Sequence, residues 1–363
     1  MGITPYTAGW GAKGHPDYHG YAWYRLRFTV DAPADGTLAL LGPWAVDSVY
    51  QVYANGTLLG GVGDLSGDTP VAYGTHYPKS FALPPAMAHG GPMVLAIRVW
   101  SGTWTGADGG GIHVAPVIGT QASIDARYRL QWLKIFEGYV VDAVPALLFF
   151  LMAVMALSLL PMQRGDRACL WLAAALMLSG IQRGNQAFFF WWQIETIKEF
   201  VYVITVLVGS LSLGAWLMAW RAWFKVERPV WLPRAVAALT LALIIAQALG
   251  YTRVLGIISL PHWASMTVHE LILGLRWAFL LAFVWVAYQG LRGQGREAWY
   301  TLPAVLAISP VIFASELSML HVSGIWFPFG VGVSLSEFCS VAFDALLCVV
   351  LWRRLRSYAL AHQ

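Results

Sequence analysis

Two hydrophobic rhythms divide the chain. Up to about residue 135, apolar residues come in short, partly alternating runs: "YAWYRLRFTV" (21–30), "TLALLG" (37–42), "SVYQVYANGTLLGGVG" (48–63), "KSFALP" (79–84) and "MVLAIRVW" (93–100). Each is rich in β-branched or aromatic residues and bounded by Gly, Pro or Asp, which predicts strands. Asn55-Gly56, lying between two such stretches, predicts a two-residue hairpin turn. Asn55-Gly56-Thr57 also spells a glycosylation sequon, but the turn chemistry accounts for it. Short strands at this spacing predict a jelly-roll-like all-β sandwich over residues 1–120.

Beyond a linker at 121–137 the pattern changes to long apolar blocks. A helix needs ~20 apolar residues to cross ~30 Å of hydrocarbon, and that length selects seven segments. They are 138–160, 168–191, 199–220, 231–250, 264–289, 299–319 and 331–352. The alternate connections and the tail at 353–363 hold Arg164, Arg167, Arg221, Lys225, Arg228, Arg234, Arg292, Arg296, Arg353, Arg354 and Arg356; the opposite connections hold only Lys198 and Arg253. Lysine and arginine accumulate on the cytoplasmic side, so this alternation predicts a seven-transmembrane α-helical bundle with the N-terminus outside.

Composition agrees with an integral membrane protein in the lipid bilayer: 58% of the 363 residues are hydrophobic, 12% are charged, and mean hydropathy is +0.59. The net charge of +4 reflects the inside-positive bias. No basic stripe interleaved with aromatics is present, which excludes nucleic acid as a partner. Cys169, Cys339 and Cys348 all fall in the membrane part, so the β-domain has no disulfide to form. The opening "MGITPYTAGWGAKGHPDYHG" lacks a basic start followed by an apolar stretch, whereas an outside domain needs export; a natural leader is therefore expected ahead of Met1.

The segment "SGIQRGNQAFFFWW" (179–192) places Gln182, Arg183, Asn185 and Gln186 inside an apolar block. Ionisable groups within membrane helices are expensive and face the bundle interior or a water-filled cavity. Helix direction puts Asp142, Arg183, His269, Glu270, Glu316 and Glu337 at similar depth near the outer end. Arg276 and Asp344 lie nearer the midplane, each seven residues beyond His269 or Glu337, and seven residues is two turns, so each pair shares a face. The pattern predicts an outward-facing polar cavity, with Arg183 as counter-charge for Glu270, Glu316 or Glu337. The same residues serve equally as interhelical glue, since polar side chains bond across a bundle. Ser309-Pro310 can kink the sixth helix.

In the β-part, Tyr73, His76, Tyr77, Trp100 and Trp104 combine aromatic faces with polar groups. They suit stacking on a sugar ring, or equally packing of the sandwich edge.

Other chemistries lack their residues. The last block, 331–352, has no lysine for a retinal Schiff base. His262, His269 and His321 have no H-x-x-x-H spacing, so a zinc hydrolase is poorly supported and no metal or cofactor is implied. Kinase, phosphate-loop and nucleophile-elbow motifs are missing.

"HGYAWYRLRFTV", "VDSVYQVYANGTLLGGVG", "FALPP" and "LAIRVW" resemble the galactose-binding-like jelly roll of sugar-binding domains in family 2 glycoside hydrolases. Such a domain followed by seven helices is similar to bacterial seven-transmembrane receptors with diverse intracellular signalling modules. The resemblance implies a non-enzymatic sensory receptor of the bacterial inner membrane, its N-terminal domain periplasmic or extracellular. It would bind a small molecule, carbohydrate included, and drive a histidine kinase, diguanylate cyclase or PP2C-type phosphatase. Such output domains would favour a homodimer. This chain ends at "LWRRLRSYALAHQ", so the output module is expected downstream or on a separate partner. The rival reading is a membrane scaffold or accessory subunit whose β-domain binds another envelope protein through an exposed apolar patch.

Overall fold

The computed structural model describes the chain except residues 1–5, 32–36, 68, 74–76, 88, 106–108, 161–166, 193, 259, 320–324, 327–332 and 362–363. His76, Arg164 and His321 therefore lie outside the described residues.

The N-terminal region is antiparallel sheet. Its strands are β1 (Gly20–Asp31), β2 (Leu38–Leu41), β3 (Val46–Asp47), β4 (Val49–Ala54), β5 (Thr57–Val62), β6 (Ser80–Ala82), β7 (Gly90–Ser101), β8 (Gly111–Ile112) and β9 (Val117–Thr120). They form a four-stranded sheet in the order β1-β7-β4-β5, a three-stranded sheet β6-β2-β9 and the pair β3-β8. Along β7, Met93, Leu95, Ile97 and Val99 are buried while Val94, Ala96, Arg98 and Trp100 are half-exposed, the two-residue period of a strand covered on one face. The buried set meets Val52 of β4, Leu38 and Leu40 of β2 and Phe81 of β6 in one core, which joins the two larger sheets. Each fully buried aliphatic here contributes about 1.5–3 kcal/mol of transfer free energy.

Asn55 and Gly56 have φ of 46° and 85°, the positive pair that a type I′ turn requires. The Asn55 side chain accepts from the Val94 amide at 2.7 Å, tying the hairpin to β7. The short strands β3, β8 and β9 were not expected, because two to four residues leave no readable alternation.

Among the described residues eight helices follow: α1 (Gln121–Ser158), α2 (Ala168–Trp191), α3 (Ile197–Trp223), α4 (Leu232–Val254), α5 (His262–Gln294), α6 (Arg296–Ile312), the short α7 (Ala314–Met319) and α8 (Leu335–Ala361). Residues 121–137, expected as a linker, are the first half of α1, since no Gly or Pro interrupts the chain before Gly138.

Among the described residues, length and apolarity together mark five helices as able to cross a membrane, α1, α3, α4, α5 and α8, rather than the expected seven. These five make the chain a membrane protein. The second helix falls short in apolarity because Gln182, Arg183, Asn185 and Gln186 occupy its second half. The sixth falls short in length, with 17 residues. It ends at Phe313 (φ −110°, ψ 33°) instead of running to 319. Pro310 lacks an amide donor, and the Ser309 hydroxyl donates to the Val305 carbonyl at 2.7 Å; both weaken the ladder just before the break.

Within α3 the backbone is π-helical over Phe200–Val208, preceded by a capping box between Thr196 and Glu199. π-turns are rare and are used where a helix must re-aim its side chains.

Two compact units divide the chain: Met1–Glu137 with Phe188–Phe200 and Thr252–Ser259, and Gly138–Ala187 with Val201–Tyr251 and Leu260–Gln363. In the first, the Ile197 amide donates to the Ala72 carbonyl at 2.9 Å, and the Thr103 hydroxyl donates to the Val254 carbonyl. In the second, one apolar core joins α1 through α6 and α8, with Phe149, Leu172, Trp216, Leu243, Phe279, Ile308 and Phe343 among its members. Helices α1, α2, α3 and α4 each have residues in both units.

Candidate functional site

The intramembrane charges resolve into two groups. In the first, Arg183 of α2 donates from Nη1 to Asp142 Oδ1 of α1 at 3.4 Å, with side chains 16% and 17% exposed. Among the described residues this single, long bond is the guanidinium's one hydrogen bond, and its partner is Asp142 rather than Glu270, Glu316 or Glu337. Arg183 also lies within electrostatic reach of Glu337 and Asp344 on α8.

In the second group, Arg276 of α5 grips Glu316 of α7 at two points. Nη2 meets Oε2 at 2.9 Å and Nε meets Oε1, with the glutamate side chain 2% exposed. Bidentate guanidinium–carboxylate pairs are the strongest of the charge-assisted hydrogen bonds. The helix break at Phe313 is what sets Glu316 on its own short element.

Glu337 has a local role. Its carboxylate accepts from the Ser334 amide at 2.5 Å and its own amide donates to the Ser334 hydroxyl at 3.4 Å, a capping box at the start of α8. The Ser-x-x-Glu spacing at 334–337 was a readable signal for it. His269 and Glu270 stand on exposed positions of α5, with no hydrogen bond or ion pair described for either. Gln182 is exposed, its amide nitrogen 3.6 Å from where a Cβ on Gly209 would sit, at the end of the π-helical turn; Asn185 is half-buried.

Asp344 stands apart. It lies on the buried stripe Ser340, Phe343, Asp344, Leu347 and Leu351, is 4% exposed, and neither carboxylate oxygen has a hydrogen-bond partner among the described residues. An i, i+3, i+4, i+7 stripe is the core-facing side of a helix. A charge at its centre is the least expected residue of that stripe.

Neutral polar groups also stitch the bundle, and the sequence reading missed them. The Trp216 indole donates to Ser179 Oγ at 2.9 Å, Ser179 and Ser212 hydroxyls meet at 3.2 Å, and Ser210 donates to Gln247 at 3.0 Å. Hydrogen bonds of this kind hold membrane helices together.

In the sheet region, Trp104 packs edge-on against Trp100 with centroids 5.4 Å apart, and a Cβ at Gly102 would lie 2.3 Å from the Trp104 ring. Tyr73 and Tyr77 are half-buried beside the undescribed His76. A different aromatic group emerges on the outer face of the four-stranded sheet. The register puts Trp23 opposite Arg98 and Arg98 opposite Gln51. Trp23 rests against Tyr53 at 5.6 Å, Arg98 lies 4.1 Å above the Tyr21 ring, and Tyr53 donates to Gln51 at 3.0 Å. Trp23 is 56% exposed. Alternation alone marks these residues as outward, but only the strand register makes them neighbours.

Among the described residues no three His, Cys, Asp or Glu side chains gather as metal ligands. No protein-family model and no curated protein matches the chain.

Proposed function

We propose that the protein is a bacterial inner-membrane sensory receptor whose outer β-domain, a jelly-roll sandwich, binds a small molecule of the carbohydrate class. The bound state is passed through seven membrane helices to a cytoplasmic kinase, cyclase or phosphatase module outside this chain. One observation carries this reading: four helices, α1 to α4, have residues in the sheet-containing unit and continue into the bundle. A ligand that changes the packing of that unit therefore acts on a unit that itself contains residues of four helices.

Seven crossings are supported by the shared core of α1 through α6 and α8. The orientation is supported by the basic residues that follow α1: Lys198 of α3 and Arg253 of α4 belong to the sheet-containing unit, against Arg221, Lys225, Arg228 and Arg292 of the other unit. The carbohydrate class is supported by the exposed Trp23 face flanked by Tyr21, Tyr53, Arg98 and Gln51, since sugar C–H faces stack on aromatic rings while hydroxyls seek amide and guanidinium partners. A scaffold docking through an apolar patch is less well supported. Exposed Leu26 and Leu58 lie on strands β1 and β5, the opposite edges of the sheet.

The experiment is a glycan array probed with the full chain in lipid nanodiscs, followed by spin-label distances between the ends of α5 and α8 with and without the saccharide retained. Expected are binding lost in Trp23→Ala and a distance change in the unsubstituted protein. Failure to retain any saccharide, or binding untouched by Trp23→Ala, would overturn the ligand assignment.

A further inference from the structure

We infer that Asp344 is a proton-binding site within the bundle: its carboxyl exchanges a proton with water and, when ionised, takes Arg183 as its counter-charge. This holds whether or not the protein is a receptor, because it rests on the charge arrangement around α8 alone.

The local charges do not balance. Arg183 bonds Asp142 and lies within electrostatic reach of Glu337 and Asp344. Asp142 holds its hydrogen bond and Glu337 is committed to the Ser334 capping box. Asp344 is the carboxyl of the three with neither an ion pair nor a hydrogen bond among the described residues, and it has almost no exposure. An isolated buried carboxylate is disfavoured strongly enough that it neutralises by taking up a positive charge.

A proton suits this position better than a metal ion. Metal cations collect several oxygen ligands. The hydroxyl nearest along the helix, Ser340, is already donated to the Ser336 carbonyl, and no acidic cluster of three assembles among the described residues. A proton needs one carboxylate oxygen. On uptake, water-borne H⁺ forms an O–H bond with an oxygen lone pair of Asp344; on release that bond breaks, the electron pair stays on the oxygen and water accepts the proton.

The site is exchangeable rather than permanently neutral because Arg183 has capacity to spare. Four of its five N–H groups have no protein partner among the described residues, and it is 16% exposed. The other ionisable groups facing this region are Asp142 and Tyr139 on α1 and Glu337 on α8 itself. Helices α3 and α6 contribute uncharged side chains to the adjoining core, among them Trp216, Val305 and Ile308.

The test is infrared difference spectroscopy of the full chain in nanodiscs, acidic against alkaline buffer, reading the carbonyl stretch of a protonated buried carboxyl. A band that fades as pH rises, is absent in Asp344→Asn and persists in Glu270→Gln is expected. The Asn variant is also expected to lose pH dependence of its Tm. Should Asp344→Asn fail to fold, Asp344→Glu keeps the carboxyl and must shift the band. A band unchanged in either Asp344 variant overturns the inference. So does a wild-type band abolished at constant pH by sodium or potassium, which would assign the site to a metal cation.

Discussion

Arg276 and Glu316, forty residues apart, meet through two parallel hydrogen bonds, one of them at 2.9 Å, with the glutamate sealed from solvent. A buried pair of this kind is most vulnerable when one partner is removed, because the other is stranded as an unpaired charge. Glu316→Leu alone is expected to destabilise the bundle by about 3–5 kcal/mol. The double variant Arg276→Met, Glu316→Leu should recover most of that loss, a non-additivity readable from unfolding in mixed detergent micelles. Equal loss in single and double variants would show that shape, not charge, matters here.

Arg183 contrasts with Arg276. Its one bond to Asp142, at 3.4 Å, is longer and less directional than the two-point grip of Arg276 on Glu316, so less is lost when it is removed. Arg183→Ala should leave the folded protein at unchanged abundance in membranes while altering coupled output in cells carrying the intact signalling chain. Disappearance of folded protein on immunoblots would identify the residue as helix glue.

The N-terminal segment is pinned by His113. Its Nδ1 faces the Thr7 carbonyl at 2.8 Å and its Nε2 faces Asp47 Oδ2 at 2.7 Å. Both partners accept, so both contacts are hydrogen bonds at once only when the ring is the imidazolium. The hydrogen bond to Asp47, first, and that to Thr7 hold the His113 pKa above its ordinary 6.5. A raised folded-state value means the contribution is fully present below the unfolded value and is lost as pH rises through the folded one. Protection of the amides of residues 7–15, taken relative to their intrinsic base-catalysed exchange, is expected to fall from mildly acidic to alkaline buffer, and His113→Asn should remove that dependence.

Two glycines of one hairpin should behave differently. Gly56 has φ of 85° with open space around it, so Gly56→Ala meets only backbone strain, about 1 kcal/mol. A Cβ at Gly61 would lie 2.1 Å from the Tyr50 carbonyl oxygen, inside the β4–β5 pair. Gly61→Ala should therefore cost more than Gly56→Ala in thermal unfolding of the β-domain signal, and the reverse order would contradict the register.

The sequence by itself determined the division into a sheet region and apolar helices, because hydrophobic period is a local property. The Asn55-Gly56 turn and the starts of α2 and α4 were legible within a few residues for the same reason. What needed tertiary structure was every partnership. Depth and helix face placed Arg183 beside several glutamates, but could not choose Asp142, nor predict that the break at Phe313 would hand Glu316 to Arg276. The Trp23, Arg98 and Gln51 face needed the register of three strands, and the isolation of Asp344 needed knowledge of what its neighbours were already bonded to. Patterns within one element report which side faces inward; which inward groups meet depends on packing between elements, a relation no single segment encodes.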